Sequence, residues 1–406
     1  MGLMGPMGPM GPMGLMGPMG LIGLMSLMGL MGCSGDDEEV RRQGTTVELA
    51  PYVTSYAETE TTRAGEIEWP PEGFKPYNEM SYISDEMKLR GQKAAICTYF
   101  TSGTNKAEAR RFRRDGTGKW VIDLEVAANS YYLYGIVPFS ALSDTTSSQV
   151  ITPNGSSYAE GATMNLTLNS VMNQDVCIVV GAKHGTKGEG ENAQPEPVSQ
   201  PKPGDFGCTI DMGNTSYIFL LFDHLYAAMC FRMRVGSDYA ALRTIRLKEL
   251  DLKIYNDEAC TSLMKKKVST TVNLQANNTG AWPFSGDIVF TPDESSDDMD
   301  WMAIYQDEDP QQPLPTGEEW SDRYGFIPYT NSDQYYILRS RYDVYDKEGN
   351  LIRKDCTAEN KIKPREKFNK TRLERGKIYT LKITVEPTYL YVLSDPDLDS
   401  PTMKIE

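Results

Sequence analysis

The sequence predicts an all-β protein made of two sandwich domains in tandem, and three observations carry that expectation. Many short stretches alternate apolar and polar residues, others are apolar at every position, and no long segment keeps a helical repeat. Met229, Phe231, Met233 and Val235 alternate with Arg232 and Arg234, and Tyr379, Leu381, Ile383 and Val385 alternate with Thr380, Lys382 and Thr384. Trp120, Ile122, Leu124 and Val126 share one parity, with Asp123 and Glu125 on the other. A period of two marks a strand with one buried face. The runs "YYLYGIV" (131–137), "VCIVVGA" (176–182) and "YIFLLF" (217–222) read as strands covered on both faces. The mixture fits sheets packed face to face.

Finer features follow from the same patterns. In "TIRLKELDLKIY" (244–255), Ile245 and Leu247 share one parity while Leu250, Leu252 and Ile254 share the other. That flip predicts a β-bulge near Lys248-Glu249, with a helix as the competing reading. "VYDKEGNLIR" (344–353) reads as a hairpin with Gly349 in the left-handed position, and Asp115-Gly116 as the turn of another. "TKGEGENAQPEPVSQPKPGDFG" (186–207) is rich in Pro and Gly, so it reads as a linker or surface loop and not as a central strand. The other candidate boundary is the polar region 255–285. With 406 residues, at roughly 150 per domain, two domains are expected.

The N-terminus is of another kind. From Met1 to Gly32 there is no charge, and Gly recurs at every third position from Gly2, with Ser26 the exception. Collagen shares that spacing, and the run is long enough for a membrane helix, although Gly and Pro are poor helix formers. The end of the run favours a third reading, an export signal over 1–32. Leu30-Met31-Gly32-Cys33 resembles a bacterial lipobox, in which the Cys thiol takes the lipid, and "SGDDEE" (34–39) resembles the export tag of surface lipoproteins. Residues 33–65 then read as a polar tether.

Composition narrows the function. The net charge is −15 with no basic block, which excludes a nucleic-acid face. Six cysteines follow Cys33, none in a CxxC pair, so neither a disulfide scaffold nor a zinc site is expected, and no cofactor is implied. Cys177 and Cys230 lie in apolar runs and read as buried thiols. His184 is placed in a Gly-rich loop, and His224 reads as a satisfied core or strand-end histidine. GxSxG and HExxH are absent. Asp395, Asp397, Asp399 and Glu406 fall at calcium-loop spacing, but Ser400 replaces the required Gly, so residues 395–406 read as an acidic tail. The chain is expected to bind or assemble and not to catalyse.

Several stretches, in order, resemble the fimbrillin family, the type V pilus subunits and fimbrial lipoproteins of the Bacteroides group. They are "KWVIDLEVAANSYYLYGIVPFS", "YIFLLFDHLYAAMCFRMRV" with Phe222 and His224, "ALRTIRLKELDLKIY", "YDVYDKEGNLIR" and "LERGKIYTLKITVEPTYLYVLSD". The resemblance implies two transthyretin-like (Ig-like) β-sandwich domains, here over 66–256 and 257–406, with 186–207 an insertion in the first. It also implies lipidation at Cys33 and display on the outer membrane. An Arg-specific cut would then remove an N-terminal strand, and a segment of another pilus subunit would fill the groove. Arg63 is the best-placed site, with Arg41 and Arg42 behind it. The Asp- and Pro-rich tail makes a poor donor strand, which points to a tip or accessory role. The alternative is a surface glycan-binding lipoprotein of a polysaccharide-uptake system, with Trp282, Trp301 and Trp320 as stacking candidates.

Overall fold

The computed structural model describes residues 44–54, 56, 74–76, 97–102, 107–111, 113–115, 117, 119–125, 131–138, 141–142, 151–170, 173–187, 195–209, 216–276, 288–328, 330–388 and 397–405. Among them the fold is all-β, with the sheets in a sandwich-like arrangement. Among the described residues two short α-helices, Ser237–Ala240 and Pro364–Phe368, and a 3-10 turn, Tyr158–Glu160, interrupt the strands. No helix among the described residues is long and apolar enough to cross a membrane.

The largest sheet runs Ala107–Arg111, Cys97–Ser102, Tyr131–Val137, Cys177–Lys187, Ser216–His224, Gly44–Thr54, Trp120–Glu125 and Arg113–Arg114. Three smaller sheets account for the other paired strands among the described residues. Ser321–Pro328, Tyr226–Val235, Ile378–Thr388 and Asp397–Ile405 form one, and Met302–Gln306, Thr244–Tyr255, Tyr335–Tyr345 and Leu351–Ile362 form another. Gly161–Asn169 and Lys267–Gln275 make the centre of the last. The chain passes from the large sheet to the next at Leu225, a wholly buried residue between His224 and Tyr226. Val47, Leu220, Met229, Leu252, Tyr342 and Leu381 all belong to one continuous core.

The alternating stretches behave as their pattern requires. Met229, Phe231, Met233 and Val235 are buried while Arg232 and Arg234 are half-buried. The register of Thr244–Tyr255 against Tyr335–Tyr345 slips between Leu247 and Glu249, the bulge that the parity flip demands. Lys248 sits in that slip. Its ammonium is buried, 2.7 Å from Asp355 and 3.9 Å from Asp343, so its charge has partners. Gly349 takes φ +89° in the 346–350 loop.

Several expectations are corrected. Residues 44–54 are not tether but an inner strand of the large sheet, with Val47, Leu49 and Val53 buried. The hydrogen-bonded pairing does not divide at residue 256. Tyr226–Val235 and Thr244–Tyr255 pair with strands beyond residue 300, while Lys267–Gln275 pairs with Gly161–Asn169. His184 lies not in a loop but inside the strand Cys177–Lys187. The acidic tail is an edge strand, Asp397–Ile405, antiparallel to Ile378–Thr388. Pro401 is tolerated there because it faces Pro387 at the sheet edge. The described cysteines, Cys177, Cys208, Cys230, Cys260 and Cys356, are free thiols.

The Pro-rich insertion has structure too. Pro195–Pro197 pairs with Gly185–Lys187, and Gly207–Cys208 pairs with Tyr131 and Tyr132. Between them the Ala182 amide donates to Asp205 and the Gly204 amide to Val180. The insertion thus covers an edge of Cys177–Lys187 that Tyr131–Val137 meets only at Cys177 and Ile178. Two glycines permit the close approach. A Cβ at Gly181 would lie 2.5 Å from the Lys202 carbonyl oxygen, and one at Gly185 would lie 2.3 Å from that of Glu196.

Gly181→Ala and Gly185→Ala are therefore expected to lower the unfolding free energy by about 1–3 kcal/mol, because the obstacle is backbone. Gly349→Ala, with open space around it, is expected to cost only about 1 kcal/mol, from its positive φ. Urea denaturation ranks the three. Burial, with Asp205 adding to it, raises the Cys208 thiol well above the ordinary thiol range. The unfolded chain ionises there first, so stability falls as pH rises past about 8.5. Cys208→Ala should flatten that alkaline fall in a series of melts.

Candidate functional site: the N-terminal strand and its polar latch

The strand Gly44–Thr54 has neighbours on both sides. It runs parallel to Ser216–His224, with Glu48 to Val53 opposite Tyr217 to Phe222. On its other side Gly44 to Leu49 pair antiparallel with Glu125 to Trp120, and Tyr52 to Thr54 pair with Phe74–Pro76. Pro51 lies between these two partners, where that side asks for no amide donor. This explains a proline in an inner strand. Burying Val47, Leu49 and Val53 stabilises the arrangement by about 1.5–3 kcal/mol each.

Polar side chains fasten the end of this strand. His224 closes its strand at 0% exposure. Its Nε2 donates to the Thr54 carbonyl oxygen at 2.6 Å, since a carbonyl only accepts. Its Nδ1 stands 2.9 Å from Asp175 Oδ1 and 3.3 Å from Cys177 Sγ. The Tyr56 ring stacks on the imidazole with centroids 3.7 Å apart, and its hydroxyl donates to Asp175 Oδ1 at 2.7 Å. Asp223 accepts from the Thr54 hydroxyl at 2.8 Å, from the His224 amide at 2.9 Å and from Arg375 at 2.9 Å. Arg375 also donates to the His224 carbonyl. One strand end is thus tied to side chains from residues 175–177, 223–224 and 375.

The arrangement does not resemble a nucleophile with its base. Cys177 is wholly buried, and burial together with Asp175 and Asp223 holds its thiol well above the ordinary range. His184 is separate. Its Nδ1 accepts from the Thr209 amide at 3.1 Å, and burial with Lys183 lowers its proton affinity.

Cys33, Arg41, Arg42, Arg63 and Trp282 lie outside the described residues. Trp301 and Trp320 are half-buried and precede strands of different sheets, Met302–Gln306 and Ser321–Pro328. Each ring already has a cation over it. Arg339 Cζ lies 4.0 Å and Lys253 Nζ 4.7 Å from the Trp301 centroid, and Arg234 Cζ lies 4.2 Å from that of Trp320. These contacts occupy ring face that sugar stacking would need. Asp175, Thr54 and Tyr56 were missed by the sequence reading. The only local signal was Asp-x-Cys, a spacing that returns two side chains to one face of an extended chain.

Thr54→Val and Arg375→Ala each remove one donor from Asp223. Each is expected to lower the unfolding free energy by about 1.5–3 kcal/mol. In the double variant the losses should depart from additivity by at least about 0.5 kcal/mol. Strict additivity in urea titrations would contradict a shared carboxylate.

No family model matches the chain, and no curated protein matches it. Solved structures match it at low identity and low TM-score. A protein described provisionally as a cell adhesion protein, from Bacteroides fragilis NCTC 9343, is 11% identical with a TM-score of 0.41, over 89% of this chain and 97% of its own. A fimbrial protein from Bacteroides ovatus ATCC 8483 is 10% identical with a TM-score of 0.32, over 84% of this chain and 49% of its own. A provisional polysaccharide-binding protein from Bacteroides thetaiotaomicron VPI-5482 is 10% identical with a TM-score of 0.27, over 85% of this chain and 93% of its own.

Proposed function

We propose that this chain is a surface-exposed fimbrial subunit or accessory adhesin, exported as a lipoprotein through Cys33 and assembled by strand exchange. One observation supports the reading above the rest. Gly44–Thr54 is an inner strand whose hydrogen-bonded neighbours all follow it by more than fifteen residues in sequence. Arg63 falls between it and Phe74–Pro76. A cut there would separate the strand covalently from the body that holds it. Its departure would leave Ser216–His224 and Trp120–Glu125 with unpaired edges facing one slot, which is a template for another strand. A head-to-tail contact of that kind does not close on itself and builds a filament. The sequence resemblance to fimbrillins, the lipobox-like junction and the acidic stretch after Cys33 point the same way.

The Asp397–Ile405 strand bears on the role within such a filament. It is engaged with its own sheet through Ile378–Thr388. A segment held at home is a weak donor, which favours a tip or accessory position over a stalk. The glycan-binding reading retains Trp282, but Trp301 and Trp320 are partnered by cations of the chain itself.

Mass spectrometry of the mature N-terminus tests the proposal on the sheared high-mass fraction and on membranes. A chain beginning at Ala64 in the sheared fraction is the expected result for an assembled subunit. Diacylated Cys33 as the sole terminus, confined to membranes, would instead mark an anchor or a glycan-binding lipoprotein. An unlipidated chain that retains Met1 would refute the export reading. Trp301→Ala and Trp320→Ala are expected to leave migration in polysaccharide-containing gels unchanged.

A further inference from the structure

The polar latch contains more than hydrogen bonds require. Asp175 Oδ1, Cys177 Sγ and His224 Nδ1 converge in the core, all within 4.8 Å of one another, and their residues are at most 1% exposed. The separations are 2.9 Å from nitrogen to oxygen, 3.3 Å from nitrogen to sulfur and 3.6 Å from sulfur to oxygen. Nitrogen or oxygen at about 2.0 Å and sulfur at about 2.3 Å from a tetrahedral cation stand roughly 3.3–3.6 Å apart. Two edges of the triangle match. The third is at hydrogen-bond length and would open by a few tenths of an ångström once a cation replaced the proton.

Two further observations point to a cation. Asp175 Oδ2 is buried and has no hydrogen-bond partner, which is costly for a carboxylate oxygen. It would serve as a fourth donor if Asp175 bound through both oxygens. The His224 ring is also held in the orientation that a metal needs. Its Nε2–H is committed to the Thr54 carbonyl, so Nδ1 is the ring nitrogen that would ligate, once the proton it shares with Asp175 is displaced. Metal-bound histidines are oriented in this way by a second acceptor. The Tyr56 hydroxyl orients the carboxylate in the same manner.

We propose that Asp175, Cys177 and His224 form a structural binding site for a divalent transition metal of the zinc type. Cysteine with histidine selects such a cation over magnesium or calcium. The charges balance: binding displaces the thiol proton and any proton on Nδ1, and one thiolate plus one carboxylate neutralise a dication. Because Thr54 orients the ligating ring and Tyr56 the carboxylate, the site is complete only with the N-terminal strand in place. The inference is independent of any role in a filament.

The test uses the full chain, without a polyhistidine tag, produced in medium supplemented with Zn²⁺ or, separately, Co²⁺. Metal content per folded chain and the absorption spectrum of the cobalt form are measured. The expected result is about one ion per chain and a thiolate-to-cobalt charge-transfer band in the near ultraviolet. Cys177→Ala should abolish the band, Asp175→Asn should lower the metal content at least about tenfold, and Cys208→Ala should change neither. Chelation under partly unfolding conditions should lower the melting temperature of the wild type and leave that of Cys177→Ala unmoved. A cooperatively folded wild type without metal would overturn the proposal. So would metal retained equally by Cys177→Ala and Asp175→Asn.

Discussion

The lodging of Gly44–Thr54 between Ser216–His224 and Trp120–Glu125 is the constraint on which the large sheet depends. Without it the two neighbours share no hydrogen-bonded partner, and the apolar side chains beneath them face a gap. The strand contributes Val47, Leu49 and Val53 to the core, and its backbone completes ladders on both sides. Backbone groups in such a position cannot fall back on water, so leaving them unpaired costs more than pairing them gains.

The polar cluster at the strand end follows from that position. Thr54 and Tyr56 bring a hydroxyl, a carbonyl and a phenol into the interior, and each meets a partner there. Arg375 reaches the same carboxylate, Asp223, from a part of the chain whose neighbouring strand Ile378–Thr388 belongs to another sheet. The cluster therefore joins elements that sequence separates by more than 300 residues. Its specificity comes from that convergence: a carboxylate buried to this degree tolerates only an arrangement in which all its donors are present.

Much of the fold was legible because its signals are local. Period-two alternation located the strands around residues 120, 230 and 380, and a parity flip located the bulge at Lys248. The errors share a different cause. Residues 44–54 carry Val47, Leu49 and Val53 on one parity, but Glu48, Tyr52 and a proline beside them, next to an acidic stretch, resemble a solvated tether. Only the sheet reveals that Pro51 falls where no donor is needed. The pairing of residues 226–255 with strands beyond 300 was likewise hidden, since a strand's pattern says which face is buried and not which neighbour it takes. His224 was read as a satisfied core histidine, and its partners at 54, 56 and 175 are too remote for spacing to reveal.

The connectivity of the N-terminal strand also explains why a covalent link would decide its fate. All its pairing among the described residues is non-local, and its ladder with Ser216–His224 is parallel, which no tight turn can close. Beyond its own ladders, the strand is held in its slot by the bonds of Thr54 and Tyr56 to Asp223, His224 and Asp175 and by its covalent continuity with the rest of the chain. Covalent continuity makes the strand's pairing intramolecular, which favours it over an unlinked competitor. While the link persists, an incoming strand with similar pairing cannot win the slot. Under the proposed cleavage, resident and competitor would meet as separate molecules, and the better apolar fit would decide between them. The ladders that make the strand essential to this sheet are main-chain pairings, so the proposed exchange asks of an incoming segment only a backbone of the same register and a similar apolar face.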